Sequence, residues 1–172
     1  FHAGSVRHFI RRARTFPQPD LIAVAGFADA GGDASTPFQL LQSPLWFPSG
    51  TATPFTSDRL SQEAAVGVLR PLVGGTAPVL DALGAAMTVT AAQAPADRRR
   101  AIVALLGGGD DSGLTETQQQ VALESLRQQQ VETGIQVILI AARLEEDSAE
   151  RRSLAELAAA LRAPIIYAGY PR

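Results

Sequence analysis

The chain has 172 residues, of which 46% are hydrophobic and 19% charged, and its formal net charge is −2. This composition excludes a disordered or fibrous chain and is typical of one packed globular domain. The near-zero charge provides no overall attraction to nucleic acid or to an anionic membrane, so neither is an expected partner.

Two absent residue types exclude whole classes of chemistry. The sequence contains no cysteine and no lysine, and all 15 basic residues are arginine. Without lysine there is no phosphate-binding P-loop lysine and no Schiff base. Without cysteine there is no thiol nucleophile, thiolate zinc site or disulfide, and no clue to the compartment.

No membrane span is predicted. The uncharged, largely apolar stretch at residues 82–96 is interrupted by polar residues and is shorter than the roughly 20 apolar residues that cross a bilayer. The basic start of the chain, Phe1 to Arg14, has no apolar signal-peptide block, which is typical of an internal or processed start.

The first half of the chain predicts helices around one buried strand. Apolar residues at helical spacing follow Ser5, a plausible N-cap, and the pattern stops at Pro17. The run Leu21–Phe27 is typical of a strand buried on both faces. A second helix is expected over Leu60–Leu69, and Thr76 is expected to cap a third.

The second half alternates strands and helices. Buried strands are predicted at Arg100–Leu106, Ile135–Ala141 and Ile165–Ala168. Thr115 and Gln118 form a capping-box signature for a helix that should stop at Gly134. The last helix repeats leucine and alanine at helical spacing after Asp147 or Ser148.

Strands alternating with helices predict an α/β fold, a three-layer α/β/α Rossmann-like domain whose mostly parallel sheet has helices on both faces. Ligands of such sheets lie at the carboxyl ends of the strands. That edge should carry Asp29, Asp33, Gly107–Asp111 and Glu145–Asp147, and is therefore acidic.

The order of three features resembles a von Willebrand factor type A domain over nearly the whole chain. They are Gly74-Gly75-Thr76, the strand RAIVALL followed by GGGDDSG, and GIQVILIA. The resemblance implies one domain over residues 1–172, part of a larger protein or assembly. It also implies a protein-binding function and the family's metal-ion-dependent adhesion site, in which hydroxyls and carboxylates hold Mg²⁺.

The residues aligned with that adhesion site predict a degenerate one. Ser5 matches the family's last motif serine and Thr76 its threonine, whereas Phe1 and Gly108 stand where the aspartates would be. Two neutral hydroxyls hold Mg²⁺ poorly, so no metal is expected. If Mg²⁺ or Ca²⁺ binds, Asp110 or Asp111 would join Ser5 and Thr76; the alternative is that these aspartates cap the next helix or are solvated.

The alignment also predicts a missing strand. If Phe1 lies at the motif, the family's central first strand is absent from this chain, and its two neighbours would expose backbone groups and apolar surface. A longer precursor, a companion chain or a partner protein is expected to supply it.

The expected function is a non-enzymatic protein-interaction module that needs no metal and no small-molecule substrate. Its partner site would be the acidic edge, with Ser5, Asp29, Thr76, Gly108, Asp110 and Asp111, or the aromatic loop around Trp46. Two alternatives remain open: a metal-dependent adhesion module that uses Asp110 or Asp111, and a small hydrolase at the same edge. Ser5 and His8 are one helical turn apart and are more typical of a helix surface than of a catalytic triad.

Overall fold

A computed structural model describes residues 3–13, 18–27, 45–46, 55–68, 77–110, 112–142 and 144–168. Within these ranges the side chains of residues 3–5, 45–46 and 68 are not described. The chain divides into two compact units, residues 1–75 and 76–172.

In its described residues, the first unit contains two helices, α1 (Ala3–Arg12) and α2 (Arg59–Val68). Ile10 and Val66 are fully buried, which gives this unit an apolar centre. The prediction of α2 is confirmed to within one residue. Ser5 as N-cap of the first helix is wrong, because Ala3 and Gly4 are already helical and Ser5 therefore lies inside α1.

Polar contacts also join α1 and α2. Nε of Arg11 lies 3.0 Å from Oε1 of Glu63, and Nη2 of Arg59 donates to the carbonyl of Ala13 at 3.1 Å. The hydrogen bond from Arg11 lowers the pKa of the Glu63 carboxyl and raises the pKa of Arg11 itself. Both side chains are solvated, so this pair orients the helices more than it stabilises them.

Asp58 caps the start of α2. Its carboxylate accepts the backbone N–H groups of Leu60 at 3.2 Å and Ser61 at 3.1 Å, and the Ser61 hydroxyl also donates to it. These donors satisfy N–H groups that have no partner within the helix. The Ser61 hydroxyl and backbone hydrogen bonds lower the pKa of the Asp58 carboxyl.

The prediction of a buried strand over Leu21–Phe27 is wrong. Only Gly26–Phe27 forms a strand, β1, and it pairs antiparallel with β2, Leu45–Trp46. Ile22 makes an isolated antiparallel bridge to Thr56. All seven residues of the run are half-buried, so the run is not enclosed on both faces as predicted.

The second unit alternates helices and strands as predicted. Its elements, in chain order, are α3 (Val79–Gln93), β3 (Ala101–Leu106), α4 (Glu116–Thr133), β4 (Gln136–Ala142), α5 (Ala149–Ala160) and β5 (Ile165–Ala168). The strands form a parallel sheet in the order β3-β4-β5. The mixed α/β class and the parallel sheet flanked by helices are therefore confirmed.

The helix termini of this unit show why these boundaries could be predicted locally. The Thr115 hydroxyl accepts the N–H of Gln118, and the Gln118 side chain in turn accepts the N–H of Thr115. At the other end, Gly134 terminates α4 with a φ of 64°. The Ser148 side chain caps α5 by accepting the N–H of Arg151 at 3.2 Å. The capping box, the glycine stop and the Ser148 alternative are confirmed.

One face of the sheet is covered by helices. Helices α4 and α5 each connect neighbouring parallel strands, and because such connections are right-handed in almost all proteins, both helices are expected on the same face. Val137, Leu139 and Ala141 share one face of β4 and are fully buried, whereas Ile138 and Ile140 on the other face are half-buried, as expected if the helices cover the first of these faces. Helix α5 also places Arg151 over the ring of Tyr167, 4.0 Å from its centroid.

Candidate functional site

The carboxyl ends of β3 and β4 form an edge that we call the rim, residues 107–110, 112 and 144–147. Leu106 at the end of β3 is paired with Ala141 near the end of β4, so the segments that follow them start side by side. This register agrees with the predicted common edge for the described part of the glycine run and Glu145–Asp147. Asp29, Asp33 and Asp111 lie outside the described residues.

The glycine run lies directly against α5. A Cβ on Gly109 would come within 2.7 Å of Cβ of Ser153, and one on Gly108 within 3.7 Å of Cγ of Glu150. A Cβ on Gly107 would meet nothing within 4 Å. Gly109 is therefore required for a close approach between the rim and α5.

Asp110 connects the rim to the start of α3. Its Oδ1 accepts the backbone N–H of Leu80 at 3.1 Å, and the Ser112 hydroxyl donates to its Oδ2. Pro78 occupies the N-cap position of α3 and makes no side-chain capping bond. The Asp110 carboxylate thus caps α3 from thirty residues away, where it also meets the positive end of the helix dipole.

This contact changes two sequence predictions. Thr76 as N-cap of the third helix is wrong, because Pro78 is the N-cap and the Leu80 N–H is satisfied by Asp110 instead. The alternative that Asp110 caps the next helix is also wrong. Asp110 caps α3, which precedes it in the chain, and the next helix, α4, has Thr115 as its N-cap. Thr76 itself lies outside the described residues.

Of the six residues predicted for the partner site, the structure describes two on the rim, Gly108 and Asp110, which lie two positions apart in the chain. Ser5 belongs to α1, in the other unit, and its side chain is not described. His8, one turn further along α1, is exposed. The structure therefore describes no contact between Ser5 and His8 that would act as nucleophile and base in the hydrolase alternative.

The rim carries negative charge, but its described side chains do not form a group that could hold a metal ion. Glu145, Glu146 and Asp147 are exposed, and Asp110 is half-buried. Within the part of the chain that the structure describes, no group of three or more His, Cys, Asp or Glu residues could hold a metal ion. Asp110 already accepts two hydrogen bonds, so a metal would have to compete with them.

Sequence reasoning missed the residues that hold Asp110 in place. Ser112 stands two positions after Asp110, a spacing at which a hydroxyl commonly bonds an aspartate in a turn, so this partner had a local signal. The Leu80 N–H and the contact between Gly109 and Ser153 had none, because they join segments that are distant in the sequence.

No protein-family model matches the chain, and no curated protein matches it. Among the described helices, none is both long and apolar enough to cross a membrane.

Proposed function

We propose that the chain is a non-enzymatic protein-interaction module that resembles a von Willebrand factor type A domain and binds a basic segment of a protein partner at the rim. The observation that carries this proposal is the hydrogen bond that the Asp110 carboxylate accepts from the Leu80 N–H, which holds the rim against α3. The exposed carboxylates of Glu145, Glu146 and Asp147 remain for contact with a cationic partner.

The hydrogen bonds of the Asp110 carboxylate favour metal-independent binding over metal-dependent binding. Recruiting Asp110 to Mg²⁺ or Ca²⁺ would remove its bond to Leu80 and leave that N–H without its cap. A metal-dependent module that uses Ser5, Thr76 and Asp110 or Asp111 is the second candidate. It is favoured by one fact, that Asp110 reaches the start of α3, close in sequence to Thr76.

The rim proposal is tested by NMR titration with a short arginine-rich peptide, with and without a chelator. We expect amide shifts at Gly107–Asp110 and Glu145–Asp147 that the chelator does not change. The double variant Glu145→Lys/Glu146→Lys should weaken binding about tenfold or more. The matched control Glu132→Lys/Glu156→Lys changes the net charge equally at exposed positions on α4 and α5 and should have a small effect.

Two results would contradict the rim proposal. Shifts confined to other parts of the chain would place the cationic partner elsewhere. Loss of binding on chelation, restored by Mg²⁺ or Ca²⁺ in the wild type but not in Asp110→Asn, would establish the metal-dependent candidate instead.

We further propose that the sheet belongs to a three-layer Rossmann-like domain whose central strand lies beside β3 and comes from outside this chain. The Arg100 carbonyl accepts the N–H of Gln136 on β4 at 3.1 Å. Backbone groups alternate sides along a strand, so Ala101, Val103 and Leu105 direct theirs away from β4. Among the strands described, none pairs with this side of β3.

The composition of β3 supports an internal position for it. Its sequence, AIVALL, has no charge, proline or other device that normally protects an exposed edge. A companion segment would therefore add as a strand parallel to β3, with apolar side chains on both faces.

Hydrogen exchange at β3 tests the missing strand. In the isolated chain we expect the Val103 and Leu105 amides to exchange at least about tenfold faster than those of Ile102 and Ala104, which face β4. The two pairs have similar burial and lie on one strand, so each serves as the control for the other. Equal protection of all four amides would mean that the chain already covers this edge.

A further inference from the structure

A groove runs between α4 and α5 near the start of β4, at the end of the sheet opposite the rim. It consists of two adjoining pockets of about 430 Å³ and 360 Å³ that share Arg127 and Arg162. We call it the α4–α5 groove; its other main lining residues are Leu123, Val131, Ile135 and Leu161. All of these residues belong to the second unit.

The α4–α5 groove presents apolar surface to solvent. Ile135 and Leu161 are fully buried at its base, whereas Val131 on α4 is 79% exposed. An isolated exposed valine is ordinary, but here it lies beside the buried apolar base of an open groove. Such a surface fits one or two apolar side chains of a ligand.

Two guanidinium groups and one carboxylate line the groove, which leaves it with an excess of positive charge; the carboxylate is that of Glu124, in the first pocket. Arg127 and Arg162 line both pockets, and Nε of Arg127 lies 3.4 Å from Oε2 of Glu124, one turn earlier on α4. This contact shows that a carboxylate can be accommodated beside Arg127. Because Glu124 is exposed, the pair is weak, and a ligand carboxylate can replace it at small cost.

The backbone at Arg162 is unusual for an arginine. Its φ is 48, and α5 ends there with the Arg162 N–H donating to the Ala159 carbonyl at 3.1 Å and the Ala163 N–H to the Ala158 carbonyl at 2.8 Å. This is the left-handed helix ending that glycine favours, and α4 ends in the same conformation with Gly134. Position 162 therefore accepts a strain that position 134 avoids.

Helix-dipole compensation does not require an arginine in this conformation. A cation in the last turn of α5 would have the same favourable interaction with the helix end, and positions 159 and 160 could carry it without left-handed strain. What position 162 adds is placement, since its side chain lines both pockets of the groove. Strain of this kind is commonly found where a side chain must be held for binding.

We propose that the α4–α5 groove binds a short acidic segment of a partner protein, with apolar side chains against Leu123 and Val131 and carboxylates paired with Arg127 and Arg162. Charge complementarity decides this occupant, because the two guanidiniums stand where the two pockets join. The groove is open and extends over two pockets, which suits an extended peptide better than an enclosed small molecule. This site is separate from the rim, so each proposal can fail alone.

The test uses the full chain and a short synthetic peptide of alternating leucine and glutamate, followed by NMR. We expect a Kd of about 1 mM or tighter, with amide shifts confined to the segments that line the groove, residues 120–136 and 159–162. Arg127→Gln and Arg162→Gln should each weaken binding about fivefold or more, whereas Glu124→Gln should strengthen it by freeing Arg127. Arg152→Gln, at an exposed arginine of α5 outside the groove, is the control.

Thermal unfolding separates the binding role of Arg162 from a structural one. Arg162→Gly should raise the Tm above that of Arg162→Ala, because only glycine relieves the left-handed strain. Both variants should lose peptide affinity alike. A glycine variant that unfolds at lower temperature than the alanine variant would overturn the argument from strain.

Three binding results would overturn the proposed occupant. Equal affinity for a peptide with glutamine in place of glutamate would show that the carboxylates are not recognised. Absence of binding would show that the groove does not bind an acidic segment. Concentration-dependent self-association in sedimentation, abolished by Arg127→Gln, would identify a second copy of this chain as the occupant.

Discussion

Replacing Leu139 with alanine is expected to lower the free energy of unfolding by about 2–5 kcal/mol. Leu139 lies in the middle of β4, the middle strand of the three that form the described sheet, and is completely buried. Alanine would leave a cavity that the paired strands on both sides cannot close, because Leu139 is in register with Ala104 of β3 and Ile165 of β5. Urea denaturation followed by circular dichroism measures the effect.

Val121→Ala provides the matched control for this core substitution. Val121 lies on α4 of the same unit but is 66% exposed, so its truncation should change the free energy of unfolding by less than about 0.5 kcal/mol. If the two variants unfolded at the same urea concentration, the helix-covered face of the sheet would not be the core of this unit.

Gly109→Ala is expected to destabilise the second unit by about 1–3 kcal/mol. The added methyl group would overlap the side chain of Ser153, whose Cβ is fixed to the backbone of α5 and cannot rotate away. Relief requires α5 or the rim to move. Thermal or urea unfolding of the variant measures the cost, and amide shifts around Ser153 report the displacement.

A double-mutant cycle identifies the clash as the cause. Ser153→Gly costs helix propensity alone, but combined with Gly109→Ala it removes the overlapping atom and should recover about 1 kcal/mol or more. Gly107→Ala, where a Cβ meets nothing within 4 Å, should be nearly neutral. Strictly additive effects of the two substitutions would show that Gly109 and Ser153 do not touch in solution.

The second unit could be predicted from the sequence because its signals are local. The apolar runs that became β3, β4 and β5 are separated by helices whose ends carry their own caps, such as Thr115 with Gln118. Leu21–Phe27 has an equally apolar sequence, yet it forms only a two-residue antiparallel strand. An apolar run alone does not determine its pairing partner, which here comes from Leu45–Trp46.

The candidate site was predictable in position but not in its contacts. The rule that parallel strands end at one edge placed Gly108, Asp110 and Glu145–Asp147 together. It could not indicate that Asp110 would serve α3, since the hydrogen bond to Leu80 depends on how two distant segments pack. Nor does periodicity reveal a left-handed arginine, because the φ of Arg162 is set by the ending of α5.

The hydrogen bond from Leu80 to Asp110 also couples ligand binding at the rim to the order of the first turn of α3. A ligand that draws the Asp110 carboxylate towards itself must release the Leu80 N–H, so its affinity includes the cost of fraying the first turn of α3. A ligand that leaves this bond intact avoids that cost. The amide of Leu80 is consequently a built-in reporter of which mode of binding a given ligand uses.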